Sequence, residues 1–411
     1  MSLPTILSFC NFQLAFFSLQ FSIVDARGLE YLPYVQGINP DSLRNEWDVR
    51  MTHDPCPMPL QHPIPNTQHP WGLAAPLVPL SWLYAAGLAA YLLTYKLGIR
   101  RRHRLPCRVV SVGNLTFGGT GKSPAVRAIC EKLLERGLRP AVLSRGYGGR
   151  LSGVGAIVSD GKERFLKPRD CGDEPAALAD AMPGVPLAIG KDRRKIGRML
   201  FEQFRPEVIV LDDGMQYWQL HRDAEIVLLD ARSPFGSGRT MPAGNLREPV
   251  RGIGRADAIV VTGVETVGAE RAAEVGQALS ALAPRAEVFL ARRSPYAVIE
   301  TDTGQRLPVA SLDGSAVVAV SGIANPQSFE AMLAACGADI RESVRFRDHC
   351  PYTDRQVEIV EAALRRTGAA VVVTTTKDAV KLRLPGGMYV LDIELAIENV
   401  DRLIDMAAGA A

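Results

Sequence analysis

Val109-Val110-Ser111-Val112-Gly113-Asn114-Leu115-Thr116-Phe117-Gly118-Gly119-Thr120-Gly121-Lys122-Ser123 is the stretch that decides the fold. An apolar, β-branched run leads into a glycine-rich loop, and a helical stretch, Pro124–Arg136, follows. Glycines let successive backbone N–H groups turn towards one point, where they can cradle phosphate oxygens. The N-terminus of the next helix adds partial positive charge at that point. Lys122 is placed to reach the β and γ phosphates of a nucleotide, and Ser123 to offer its hydroxyl to Mg²⁺. Thr116, Phe117, Gly118, Gly119, Thr120, Gly121, Lys122 and Ser123 are therefore the expected ATP-binding loop. The strict pattern G-x-x-x-x-G-K-[ST] is broken at one position, because Thr116 stands where the first glycine belongs. A glycine-rich turn without a ligand is the plainer alternative, and the density of Gly118–Ser123 argues against it.

A second segment, Val208-Ile209-Val210-Leu211-Asp212-Asp213-Gly214-Met215-Gln216, reads as a buried strand with an acid emerging at its end. In P-loop enzymes such an acid holds Mg²⁺ or its water. Adjacent carboxylates repel each other unless a cation lies near, so the pair favours a metal over a simple Asp-Gly turn.

Around these two segments, short apolar runs alternate with helical stretches. The expected strands are Val109–Val112, Ala141–Ser144, Val208–Leu211, Ile226–Leu229, Ala258–Thr262, Val317–Val320 and Val371–Thr375; Asp192–Gln203 is a further helix. Unbroken apolar runs mark strands covered on both faces. The expected fold class is α/β: a P-loop NTPase-like parallel sheet covered by helices, a second smaller α/β domain and an N-terminal membrane helix. Polar, turn-rich sequence over Arg292–Pro308 sets the boundary between a P-loop domain at 101–300 and a C-terminal domain at 301–411.

Upstream of residue 100 the character changes. Residues 1–70 read as an atypical, disordered extension, rich in proline over 52–70, with His53, His62 and His69 incidental rather than metal-binding. Residues 71–100 read as a membrane helix: Leu80–Tyr95 carries no charge, and Arg100-Arg101-Arg102-His103-Arg104 follows. The positive-inside rule puts that basic end in the cytoplasm. A spanning helix and an interfacial one both satisfy this pattern.

Across its 411 residues the chain is 47% hydrophobic and 22% charged, which excludes a disordered protein, and its net charge of +3 gives no support for nucleic acid as a partner. Seven cysteines, none in CxxC spacing, exclude a zinc site or disulfide framework and fit reduced thiols.

From about Trp71 to its end the chain resembles the tetraacyldisaccharide 4'-kinase family. The resemblance is carried, in order, by Val112-Gly113-Asn114 through Ser123-Pro124, Leu143-Ser144-Arg145-Gly146-Tyr147-Gly148, Gly172-Asp173-Glu174-Pro175, Asp192-Arg193 and Leu211–Gln216. It continues through Pro242-Ala243-Gly244-Asn245-Leu246-Arg247-Glu248-Pro249, Ser321-Gly322-Ile323-Ala324-Asn325-Pro326, Arg347-Asp348-His349 and Thr376-Lys377-Asp378-Ala379. The resemblance implies a kinase of lipid A biosynthesis in the bacterial inner membrane, facing the cytoplasm. It would transfer the γ-phosphate of ATP to the 4'-hydroxyl of tetraacyldisaccharide 1-phosphate. It implies Asp173 as catalytic acid/base with His349 as its partner, beside Lys122. Ser123, Asp212, Asp213 and Glu248 fall on the Mg²⁺ side, and Arg145, Tyr147, Arg193, Gln216 and Arg247 on phosphate or headgroup contacts. Without the resemblance, Asp173 reads as a helix cap and His349 as a loop histidine.

The chain departs from the family pattern at Ser123 for Thr, at Met215 and Tyr217 for Phe and His, and at Thr376 for Glu; none removes a proposed catalytic group. The main rival is a membrane-associated P-loop ATPase switch, which requires a lysine where Phe117 stands. A GTPase-type metallochaperone fails on the adjacency of Lys377 and Asp378, and a scaffold with a vestigial site on the intact Lys122, Ser123, Asp212 and Asp173.

Overall fold

The structure, a computed structural model, describes residues 75–409. The expected extension at 1–70, with its histidines and Cys10 and Cys56, lies outside the described residues, as does Trp71.

The P-loop strand β1 (Arg108–Asn114) is central to a mostly parallel sheet. It lies between β5 (Val208–Asp212) and β6 (Ala224–Asp230), parallel to both, so the two motif-bearing strands are immediate neighbours. Beyond β5 come β2 (Pro140–Ser144), β4 (Leu187–Ile189) and the antiparallel edge strand β3 (Ala156–Ser159). Beyond β6 come β7 (Ala258–Thr262) and β8 (Glu287–Glu300). The sheet continues through β13 (Tyr389–Ile397), β12 (Val371–Thr375) and β10 (Ala316–Ser321) to the charged edge strand β11 (Asp339–Arg345), while β9 (Arg306–Leu307) pairs with β8.

Alternating side chains bury both faces. Val110, Val112, Val142, Val208, Val210, Ile226 and Leu228 point one way, into a core closed by three helices. These are α2 (Lys122–Glu135), α3 (Asp173–Ala181) and α8 (Val400–Ala408). Val126, Ile129 and Leu133 of α2 are fully buried there, each contributing about 2 kcal/mol. On the opposite face Val109, Leu143, Ile209 and Leu211 meet Ile196 and Leu200 of α4 (Arg193–Phe204). Val227, Leu229 and Val261 meet Val275 and Leu279 of α5 (Ala269–Leu282). Around the C-terminal strands, Phe329 and Leu333 of α6 (Pro326–Ala335) cover one face. Val360 and Ala363 of α7 (Asp354–Thr367) cover the other.

The segment Arg292–Pro308, expected as turn-rich sequence, is instead mostly strand: it holds the later part of β8 and all of β9. β8 pairs in parallel with β7 through Glu287–Leu290, then antiparallel with β13 from Ala291 to Glu300. One strand thus joins the two halves of the sheet. Its polar residues concealed it, because much of this length is only partly buried. A second tie is the buried ion pair from Arg127 of α2 to Asp392, which sits at the register shift in the β13–β8 pairing.

The apolar helix α1 (Val78–Lys96) starts from a turn at Ala75–Leu77, with proline in its first turn. It is long and apolar enough to cross a membrane, and only 6% of it is buried. Its one buried residue, Ser81, donates to Thr240 O at 2.8 Å and accepts from Ala243 N at 2.9 Å. Tyr84 donates to Arg247 O at 2.6 Å.

Candidate active site

The loop after β1 is held from outside as well as by its own turns. Phe117 N donates to Asn245 O at 2.8 Å, and Arg247 N donates to Leu115 O at 2.8 Å. Between them Thr116 forms an antiparallel bridge with Leu246. This explains the departure from the strict motif: the Thr116 position is strand-like and requires no glycine. Left-handed backbone occurs instead at Gly118 (φ 126°) and Gly121 (φ 86°), where glycine avoids a steric penalty. Gly121 also precedes the first turn of α2, whose opening residues are Lys122 and Ser123. Thr262, at the end of β7, anchors the loop by donating to Thr120 O at 3.0 Å.

Lys122 bends back over the loop. Its Nζ lies 3.3 Å from Asn114 Oδ1 and 3.7 Å from Asp213 Oδ1. Asn114, the last residue of β1, also donates from Nδ2 to Thr120 Oγ1 at 3.0 Å.

The two adjacent aspartates are sent in different directions. Asp212 ends β5, is buried, and accepts from Ser144 Oγ at 2.8 Å. Burial, then the neighbouring charges of Glu174 and Asp213, push its carboxyl up to about 6. Asp213 has left-handed backbone (φ 53°), tolerable for aspartate in a tight turn, which directs it towards the cations. Burial works against its ionisation. The charges of Arg247 and Lys122 outweigh burial and hold it well below the usual carboxylate range.

Behind Asp213 lies a polar wall. Arg193, buried on α4, donates to Asp213 O at 2.9 Å and lies over the Tyr217 ring. Gln216 donates from Nε2 to Asn114 O at 3.0 Å and to Glu248 Oε1 at 2.7 Å. Glu248 is buried, and Arg255 engages both of its oxygens at 2.6 and 2.7 Å. Arg247 also lies over the Phe117 ring, 5.1 Å from its centre.

A second cluster adjoins this one. Asp173 is the first residue of α3, preceded by Gly172 (φ 98°). A Cβ at Gly172 would strike the Tyr147 carbonyl, so the loop carrying Arg145 and Tyr147 lies directly against the start of α3. Asp173 Oδ2 stands 3.1 Å from His349 Nδ1 and accepts from Lys381 Nζ at 2.9 Å. Burial raises the Asp173 carboxyl, but these two bonds outweigh it and hold the group below its ordinary value. The exposed Tyr147 ring stands 6.3 Å from that of His349.

The structure therefore gathers the expected residues into two sets: Thr116–Ser123, Asp213, Gln216, Arg247 and Glu248 around the loop, and Asp173, His349 and Tyr147 beside it. Asp212 lies between, within the electrostatic reach of Glu174. Arg193 and Glu248 are buried inside the wall. Among the described residues no three His, Cys, Asp or Glu side chains converge as a metal cluster, so a cation here needs further oxygens from a nucleotide or water.

Sequence reading gave no role to Asn114, Ser144, Thr262, Arg255 or Lys381. For Lys381 the available signal was its place directly after the motif Thr376-Lys377-Asp378-Ala379.

The profile of the family described as tetraacyldisaccharide-1-P 4'-kinase matches residues 73–408. A tetraacyldisaccharide 4'-kinase of Geobacter metallireducens is 45% identical over 306 residues, covering 74% of this chain and 88% of the relative. One of Pelobacter propionicus is 42% identical over 306 residues, covering 74% and 82%. The crystal structure of LpxK from Aquifex aeolicus in complex with ATP is similar with a TM-score of 0.69 and 32% identity, covering 81% of this chain and 98% of that one.

Proposed function

The chain belongs to the tetraacyldisaccharide-1-P 4'-kinase family, and from that premise we infer that it transfers the γ-phosphate of ATP to the 4'-hydroxyl of tetraacyldisaccharide 1-phosphate, a step of lipid A biosynthesis. The observation that carries this reading is the adjacency of two machines. The Lys122 loop, suited to a triphosphate, lies beside Asp173 and His349, suited to removing a hydroxyl proton.

We assign the roles as follows. Backbone N–H groups of Thr116–Gly121 and the Lys122 ammonium hold the phosphates. Asp173 accepts the acceptor hydroxyl's proton as the new P–O bond forms, with His349 orienting its carboxylate. Arg145, Tyr147, Arg193, Gln216 and Arg247 form the wall that meets the anionic headgroup and transferred phosphoryl, the buried Arg193 acting through Asp213. The residues fit Mg²⁺: burial, and after it the neighbouring charges of Glu174 and Asp213, raise Asp212, and a cation would relieve that charge crowding. Ser123, Asp212 and Asp213 would hold it, with Glu248 shaping the wall behind. When bound it supplies charge neutralisation during transfer.

The partner surface we propose is the inner membrane, met by α1, with the catalytic part in the cytoplasm. The support is the exposed Leu80, Trp82, Leu83, Leu93, Leu97 and Ile99, followed by the arginine run. We retain division near residue 300 into a P-loop part and a smaller C-terminal part as a proposal, with β8 continuous between them.

The test is transfer from labelled ATP to tetraacyldisaccharide 1-phosphate in detergent with Mg²⁺, beside Lys122→Ala. A 4'-phosphorylated product that the variant does not make is expected. Lipid-independent ATP hydrolysis without transfer would overturn the kinase in favour of the switch.

A further inference from the structure

Asp173 and His349 are gripped by a segment from elsewhere in the chain. Lys377 lies on the helical turn Thr376–Ala379, and Lys381 in the turn that directly follows it. The turn is pinned by Asp378, which is fully buried and accepts from Gly322 N at 2.9 Å and Thr375 Oγ1 at 2.7 Å. Lys381 Nζ reaches Asp173 Oδ2 at 2.9 Å and Cys350 O at 2.8 Å. Its side chain is only 10% exposed. Lys377 Nζ lies 3.4 Å from His349 Nε2 and 2.5 Å from Asp348 Oδ1.

An ammonium group is a donor only. With Lys377 on the Nε2 side of the ring, the acceptor lone pair belongs at Nε2 and the proton at Nδ1. His349 then donates to Asp173 Oδ2. The same oxygen accepts from Lys381, which leaves Oδ1 to take a proton.

We propose that Lys381 is a positioning residue of the transfer reaction: it fixes the Asp173 carboxylate in place, ionised, with Oδ1 turned to the acceptor hydroxyl. This rests on Asp173 being the base. In the step, the hydroxyl oxygen bonds to the γ-phosphorus as the bond from that phosphorus to the ADP oxygen breaks. The hydroxyl proton passes to Oδ1. Lys381 keeps its own proton throughout and holds Oδ2. Besides His349 and Lys381, the charged and titratable groups around Asp173 include Glu174 on its own helix, Tyr147 on the loop packed against the start of that helix, Asp348, Cys350 and Tyr352 on the histidine loop, and Lys377 on the lysine turn. Lys381 and His349 are the two that hydrogen-bond to its carboxylate through side chains. The depressed Asp173 carboxyl agrees with this arrangement.

The experiment measures kcat and KM against pH for wild type, Lys381→Met, Lys381→Arg, Asp173→Asn and the Asp173→Asn/Lys381→Met double variant, with Mg-ATP and the disaccharide lipid in detergent. Lys381→Met is expected to lower kcat about 10- to 100-fold with ATP KM within about twofold. Its acid limb moves to higher pH, because loss of the ammonium raises Asp173. Lys381→Arg restores most of kcat, and the double variant is no worse than Asp173→Asn alone. Should Lys381→Met fail to fold, Lys381→Gln reads the same limb with a neutral donor. An unmoved limb, or a further loss in the double variant equal to that in wild type, overturns the role of Lys381. An Asp173→Asn enzyme with wild-type kcat overturns the base reading itself, whichever way Lys381 behaves.

Discussion

One nitrogen of Arg247 lies 2.7 Å from each carboxylate oxygen of Asp213. Lys122 lies on the same carboxylate at 3.7 Å, so the arginine competes with the P-loop lysine for one charge. Removing Arg247 concentrates Asp213 on Lys122 and holds the lysine away from the phosphates. Arg247→Ala is expected to raise ATP KM and lower kcat/KM about 10- to 100-fold, the range for losing a charged hydrogen bond. Lysine is a poor substitute, because the guanidinium also covers Phe117. Steady-state kinetics of the two variants checks both statements.

Asp212 predicts a pH-dependent stability. Its folded value is raised, from 3.8 to about 6, so the stability it contributes is present at acid pH and lost as pH rises through about 6. Asp212→Asn, which carries no charge, is expected to stabilise the magnesium-free protein by up to about 2 kcal/mol at about pH 8 and by nothing below about pH 3, where the unfolded carboxyl is protonated as well. Adding Mg-ATP reverses the order at the higher pH, since wild type gains more from the ligand. Thermal unfolding in chelator and in Mg-ATP reads each case.

Asp392 ties the P-loop helix to β13 through Arg127, and Arg306 approaches its other oxygen at 3.4 Å. Asp392→Ala leaves the buried Arg127 with Glu131 as its remaining ion-pair partner. Loss of about 3 kcal/mol is expected, by urea unfolding, as for other buried pairs cut on one side.

Gly172→Ala places a methyl against the Tyr147 carbonyl and imposes a left-handed backbone on alanine. The start of α3, and Asp173 with it, must shift. Expected is a loss of kcat of about 100-fold or more with ATP affinity little changed, because displacement of about an ångström at a reacting group has that cost. Nucleotide binding measured beside turnover separates the two.

Trp82 and Leu83 are 70% and 59% exposed on α1. Trp82→Asp and Leu83→Asp together are expected to move the protein from the membrane fraction to the soluble one, by sedimentation of lysed cells. Retention of the double variant in membranes would remove α1's outer face as the contact.

Strands buried on both faces were legible: Val109–Val112, Val208–Leu211 and Ala258–Thr262 fall inside β1, β5 and β7. Continuous apolar runs have no other easy reading. β8, β11 and β13 were not read, because each alternates buried and exposed residues or carries charge at a sheet edge, and local pattern does not separate that from loop. The site shows the same division. Residues within contiguous motifs, such as Lys122 and Asp212, announce their chemistry through neighbours. Ser144, Thr262 and Lys381 reach their partners in the site across 68, 142 and 208 positions of sequence, and no local pattern records such pairings.

The bonds from Ser81 to Thr240 and from Tyr84 to Arg247 have a consequence for how the acceptor is found. The apolar helix is fastened to the very loop that presents Arg247, with no flexible linker between them. With α1 in the inner membrane as proposed above, a lipid held in the plane of the bilayer meets this loop at a height set by the hydrogen bonds of Ser81 and Tyr84. Its encounter becomes a search over an area instead of a volume. The effective concentration of acceptor at the site is then set by lipid density and not by the length of a tether.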